Sequence, residues 1–167
     1  MPTSMPTAPD MAALAAWVGA SAPARLMRGN AWLYPLVETA HILGFVLLVG
    51  AVAMFDLRLL GFGKGLPPRA LARHLLPWSM ASLLLVVPSG LLLFASQAGD
   101  MLASRVFLLK MGLVAVAGLN ALAFHRSPWW RAPVAGPEAN VRTRVHAGLS
   151  LLLWVGVIAC GRLTAYI

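Results

Sequence analysis

An all-α integral membrane protein, a four-helix bundle preceded by a short interfacial helix, is the fold class the sequence predicts. Three observations predict it. Of 167 residues, 60% are hydrophobic and only 11% are charged, where a soluble domain carries roughly 25%. Too few polar side chains exist to cover a water-facing surface, and the mean hydropathy is +0.80. The apolar residues fall into four runs, and the Lys and Arg residues gather in the short segments around them.

The elements follow in order. Residues 1–30 are a tail, within which Asp10 can cap a helix over "MAALAAWVGASAPARLM". This helix is apolar, with Arg25 near its end and Arg28 just beyond it, suited to lying on the outer membrane surface. Residues 31–167 form the spanning domain. Seventeen uncharged residues separate Glu38 from Asp56, twenty-five lie between His74 and Asp100, fourteen between Lys110 and His125, and fifteen between His146 and Arg162. A spanning helix needs about 20 residues. The second run suffices alone, and the others span by including their flanking charges. The expected helices cover 32–56, 74–97, 103–125 and 145–166. Short connections predict antiparallel consecutive neighbours. Segment 61–68, "GFGKGLPP", reads as a turn, and 127–140 as an exposed loop.

Charge sets the expected orientation. Arg58, Lys64, Arg69, Arg73, Arg126, Arg131, Arg142 and Arg144 flank the loops after spans one and three; Arg25, Arg28, Arg105, Lys110 and Arg162 lie at the other side. Eight against five puts those loops in the cytoplasm and both termini outside. Trp32, Tyr34 and Tyr166 mark the outer edge, and Trp78, Trp129 and Trp130 the inner edge. The net charge of +8 thus reflects topology, and nucleic acid is excluded as a partner. The partners expected are the lipid bilayer and a membrane protein or second copy. A single cysteine, Cys160, excludes an internal disulfide and a CxxC motif. "MPTSMPTAPD" has no basic or apolar signal region, so no cleavable signal peptide is expected. No phosphate-binding loop or nucleophile elbow appears, which argues against nucleotide and hydrolase chemistry.

Ionisable groups inside the apolar runs are the candidate site. Glu38 and His41 stand three residues apart, 60° on one helix face, and Phe45, Val49, Val52 and Asp56 continue that face. Intramembrane charges face the bundle interior and mark function. Lys110 and Arg162 fall within the slab on the same side as Glu38, which predicts an outer layer with Glu38 paired to Lys110 or Arg162 beside His41. The small residues Ala117, Gly118 and Ala121 share a face with Lys110, and His125 lies 60° away, so this face is expected to be buried. An inner layer holds Asp56, His74, Asn120, His125 and His146. Imidazole binds haem iron, copper or zinc and relays protons. His41, His125, His146 and His74 are therefore candidate metal ligands. Glu38, His41, Lys110, Arg162 and His125 are candidate cofactor-binding residues. His125 suits a bis-histidine haem with His146 or His74; His41 does not, lying about 20 Å away along the membrane normal. Met54, Met80, Met101 and Met111 lack paired copper-binding spacing, and Pro88 interrupts span two with Ser79, Ser82 and Ser89 nearby to satisfy freed polar groups.

The pieces "YPLVETAHILG", "DLRLLG" and "GRLTAY", with "FLLKMGLVAVAGLNALAFH", resemble an uncharacterised domain-of-unknown-function family of small four-helix bacterial inner-membrane proteins. The resemblance covers residues 30–167. It maps onto Glu38, His41, Asp56, Arg58, Lys110, Asn120, His125 and Arg162, and implies no activity. A shorter stretch, "FLLKMGLVAVAGLNALAFHR", is similar to the last helices of copper resistance protein D-like membrane proteins, which implies copper handling or transport. Three functions are therefore expected in competition. The most specific is a redox-type protein holding b-type haem or quinone. The others are a non-catalytic subunit or assembly factor of a membrane complex, and copper handling or transport.

Overall fold

A computed structural model describes residues 8–63, 65–127, 140–164 and 166. Lys64, Trp129, Trp130 and Arg131, along with most of the 127–140 loop, lie outside the described residues. Among those described, every element is helical: α1 (Ala8–Gly19), α2 (Ala22–Gly29), α3 (Leu33–Leu60), α4 (Pro68–Ser96), α5 (Ala98–Ala103), α6 (Arg105–His125) and α7 (Val141–Leu163). Helices α3, α4, α6 and α7 are long and apolar enough to cross a bilayer.

Helix boundaries follow local capping chemistry. The Asn30 carboxamide oxygen accepts from the Trp32 and Leu33 amides at 3.0 and 3.3 Å and starts α3. Ser104 accepts from Phe107 N at 3.3 Å and starts α6. Asn140 accepts from Thr143 N at 3.0 Å and starts α7 a turn earlier than the apolar run alone predicts. Helix α3 likewise runs one turn past Asp56 and ends at Gly61, with φ of 112°. Pro67 and Pro68 open α4, where a missing N–H costs nothing. Gln97 breaks the chain after α4, and the six-residue α5 precedes span three.

The N-terminal segment departs from the expected single surface helix. Asp10 lies in the first turn of α1 rather than ahead of it. The chain breaks after Gly19, because Ser21 caps a new helix carrying Pro23 in its first turn. Helix α1 packs on α5 and α2 on α4. Ala24 and Met27 are buried in this contact, and Arg28 donates to the Ser96 carbonyl oxygen at 3.1 Å. The segment thus caps one end of the bundle.

Within the bundle, α3 packs on α4, α3 on α7 and α6 on α7. Two of the three expected consecutive pairs form. The third, α4 with α6, is barely in backbone contact; the two helices meet through Phe94 and Phe107, whose rings stack with centroids 5.8 Å apart. The polarity of the bundle is inside out. Asp56, Ser79, Ser82, Ser89, Ser96, Asn120, Thr143 and Ser150 are buried, while Leu84 and Leu152 are 81% and 73% exposed. Such an arrangement is stable where lipid replaces water as solvent, so the chain is a multi-pass membrane protein.

The closest helix contact is between α3 and α4. A Cβ on Gly44 would lie 2.8 Å from Val86 Cγ2 and 3.3 Å from the Val86 backbone nitrogen, so no larger residue fits there without separating the helices. On the same helix, Gly50 faces open space. Gly44→Leu should lower stability in detergent by about 1–3 kcal/mol, the range for overpacking. Gly50→Leu should leave it within about 0.5 kcal/mol, as for other exposed sites. Thermal unfolding followed by circular dichroism reads both.

Candidate functional site

The two layers keep the names of their expected sides, and the outer one is built on the α3–α4 contact. His41 is half-buried, and its Nδ1 lies 3.1 Å from the Val86 carbonyl oxygen and 3.0 Å from Ser89 Oγ. A carbonyl only accepts, so Nδ1 carries the proton. The Ser89 hydroxyl donates its own proton to the Leu85 carbonyl and is left to accept from the ring. Both contacts require the same tautomer, with the Nε2 lone pair unused. Gly90 makes room for this ring: a Cβ there would come within 3.0 Å of His41 Cε1. Phe45 stacks near the imidazole and meets Trp154 of α7 edge-on, with centroids 6.5 and 5.9 Å apart respectively.

Lys110 of α6 belongs to the same layer. It is close enough to act on His41 electrostatically, and a Cβ on Gly161 of α7 would lie 3.8 Å from both its Cε and Nζ. Cys160 is buried beside it. Lys110 has neither a hydrogen-bond acceptor nor an ion pair among the described residues.

The expected acid–base pairing does not form. Glu38 is exposed, and no ion pair joins it to Lys110 or Arg162 among the described residues. Arg162 is also exposed; it donates to the Tyr166 hydroxyl and stacks over that ring at 4.6 Å. Glu38 stands one turn nearer the helix start than His41, where water can solvate it, which removes the drive to pair.

The inner layer is a separate cluster. The buried Asn120 bridges α6 and α7: its Nδ2 donates to the His146 carbonyl oxygen at 3.0 Å, and its Oδ1 accepts from His146 Nδ1 at 2.7 Å. Phe124 meets both His146 and His125 edge-on. His125 is exposed and donates from Nδ1 to the Ala121 carbonyl at 2.8 Å, on its own helix. The face of α6 turned inward therefore runs through Lys110, Leu113, Ala117, Asn120 and Phe124, alternating spacings of three and four, and leaves Gly118, Ala121 and His125 outside. His74 is exposed as well. No group of three His, Cys, Asp or Glu residues able to hold a metal is present among the described residues.

Of the candidates, His41 and Lys110 thus share one layer, His146 and Asn120 another, and Glu38, Arg162, His74 and His125 face outward. The Asn120–His146 lock and the Ser89–Val86 seat of His41 are pairings that helical phase does not specify. An asparagine in an apolar helix was the signal for the first, and a serine after Pro88 for the second.

A family model, described as a family of unknown function (DUF6644), matches residues 15–167, and the chain belongs to that family. No curated protein and no solved structure matches it.

Two stability results follow from this geometry. Glu38→Gln should change unfolding in detergent by less than about 0.5 kcal/mol, as an unpaired exposed acid does. Asn120→Ala should cost about 1–2 kcal/mol, because it removes two interhelical hydrogen bonds in an apolar setting.

Proposed function

We propose that this member of a family of unknown function is a redox-type protein of the bacterial inner membrane that binds a quinone or quinol in its outer layer. One observation carries the reading: an ammonium without an acceptor, Lys110, and an imidazole Nε2 without a donor, His41, share a layer of a lipid-embedded bundle. A quinone carbonyl oxygen accepts from an ammonium, and a quinol hydroxyl donates to an imidazole lone pair. The thin contact between α4 and α6 gives an apolar ligand a side route from lipid. A haem fits less well, since His41 has no second histidine at its depth, and copper lacks a ligand cluster. The loop charge imbalance of eight to five supports cytoplasmic loops and both termini outside.

The test is binding of a short-chain quinone to the purified protein, read by quenching of tryptophan fluorescence. His41→Ala and Lys110→Met should each weaken binding about tenfold, the loss of one hydrogen bond of roughly 1.4 kcal/mol. Unchanged affinity in both variants would sink the reading. A Soret band that sharpens with dithionite would replace quinone with haem, and stoichiometric copper would favour metal handling. Binding of none of these would leave a non-catalytic subunit.

A further inference from the structure

We infer that Asp56 is an intramembrane proton-binding site, a carboxyl that still holds its proton at pH 6 and lies far from the outer layer. Asp56 is 5% exposed, and its Oδ2 has no hydrogen-bond partner among the described residues. Its one polar contact is the Ser150 hydroxyl of α7. Removing an ionised carboxylate from water without a cation or a full set of donors is far more costly than burying the neutral acid.

Among the described residues, the surroundings offer no compensating charge. From α7, Ser150 faces the carboxyl; His146, one turn earlier, gives its Nδ1 proton to Asn120. From α6 comes Asn120, already committed to His146. On α4, the titratable and charged groups nearest in depth, Arg73 and His74, are exposed. On α3 itself, Arg58 turns away and donates to the Leu66 carbonyl. Phe55 and Leu59, both buried, flank Asp56 with Ala72, Phe124 and Ala147 in one apolar cluster. Asp56 also sits one turn from the C-terminal end of α3, where the helix dipole disfavours negative charge. Burial, the orphan oxygen and the dipole all favour the protonated form. His41 lies about 22 Å away along α3, so this site does not rest on the quinone reading.

The sequence makes the test clean, because Asp10, Asp56 and Asp100 are its only aspartates. In the full chain carrying Asp10→Asn and Asp100→Asn, a carboxyl-13C aspartate label reports Asp56 alone. At pH 6, about two units above the value for a solvated aspartate, infrared spectroscopy should show the labelled carbonyl stretch of a protonated acid. Ser150→Ala should shift that band, and His41→Ala should leave it in place. A labelled carboxylate band at pH 6 would overturn the inference. A carboxylate whose band responds to added sodium would overturn it too, in favour of a cation site.

Discussion

The close contact of α3 with α4 is the constraint from which the rest of the outer layer follows. Lipid supplies no hydrogen bonds, so two helices that approach this nearly must first satisfy their own polar groups. Helix α4 does so with a stripe of serines. Ser82, Ser89 and Ser96 each donate to a carbonyl three or four residues back on the same helix. A serine so engaged presents a small, nearly apolar surface. That surface, with Gly44 opposite, lets the two backbones meet. The imidazole of His41 then lands where the Val86 carbonyl and the Ser89 oxygen can both receive its proton.

This seat separates two kinds of buried polar group. Asn120 and the Nδ1 of His146 satisfy each other, and removing either breaks a hydrogen-bonded link between α6 and α7. Among the described residues, Oδ2 of Asp56 is buried without a hydrogen-bond partner, and the half-buried Lys110 and Nε2 of His41 have none either. Buried polar groups in folded proteins are nearly always paired. Three that are not, in a chain with so few charges, carry the functional argument better than the histidine count does. The count would have favoured His125 and His74, which face outward and are ordinary edge residues.

The spanning helices were legible because lipid imposes length and polarity together, and a run of apolar residues admits few other readings. Their ends were less so. Gly61 lets α3 run past Asp56 and Asn140 starts α7 ahead of His146, the residues that bound the apolar runs, and capping is a local signal that hydropathy does not weigh. The layers were legible as depth, since 1.5 Å per residue converts position into height. Pairing within a layer was not. Glu38 and His41 share a face by phase, yet one turn of helix divides a half-buried ring from a solvated acid. On α6 the phase of Lys110 and Ala117 admitted two faces, one continuing through Gly118 and Ala121 and one through Asn120 and Phe124. Small side chains argued for the first. The second won because Asn120 finds two partners on α7, and an amide in an apolar setting cannot forgo them.

Helix α3 is the element common to both layers. His41 ties it to α4 and Asp56 ties it to α7 through Ser150. These two contacts lie about fifteen residues apart on one continuous helix, with no proline or break between them. The helix cannot tilt far at its His41 end without loosening the Gly44–Val86 contact that positions His41. The seat of His41 and the contact of Asp56 with Ser150 are therefore both set by the course of one continuous helix, although they lie at different depths.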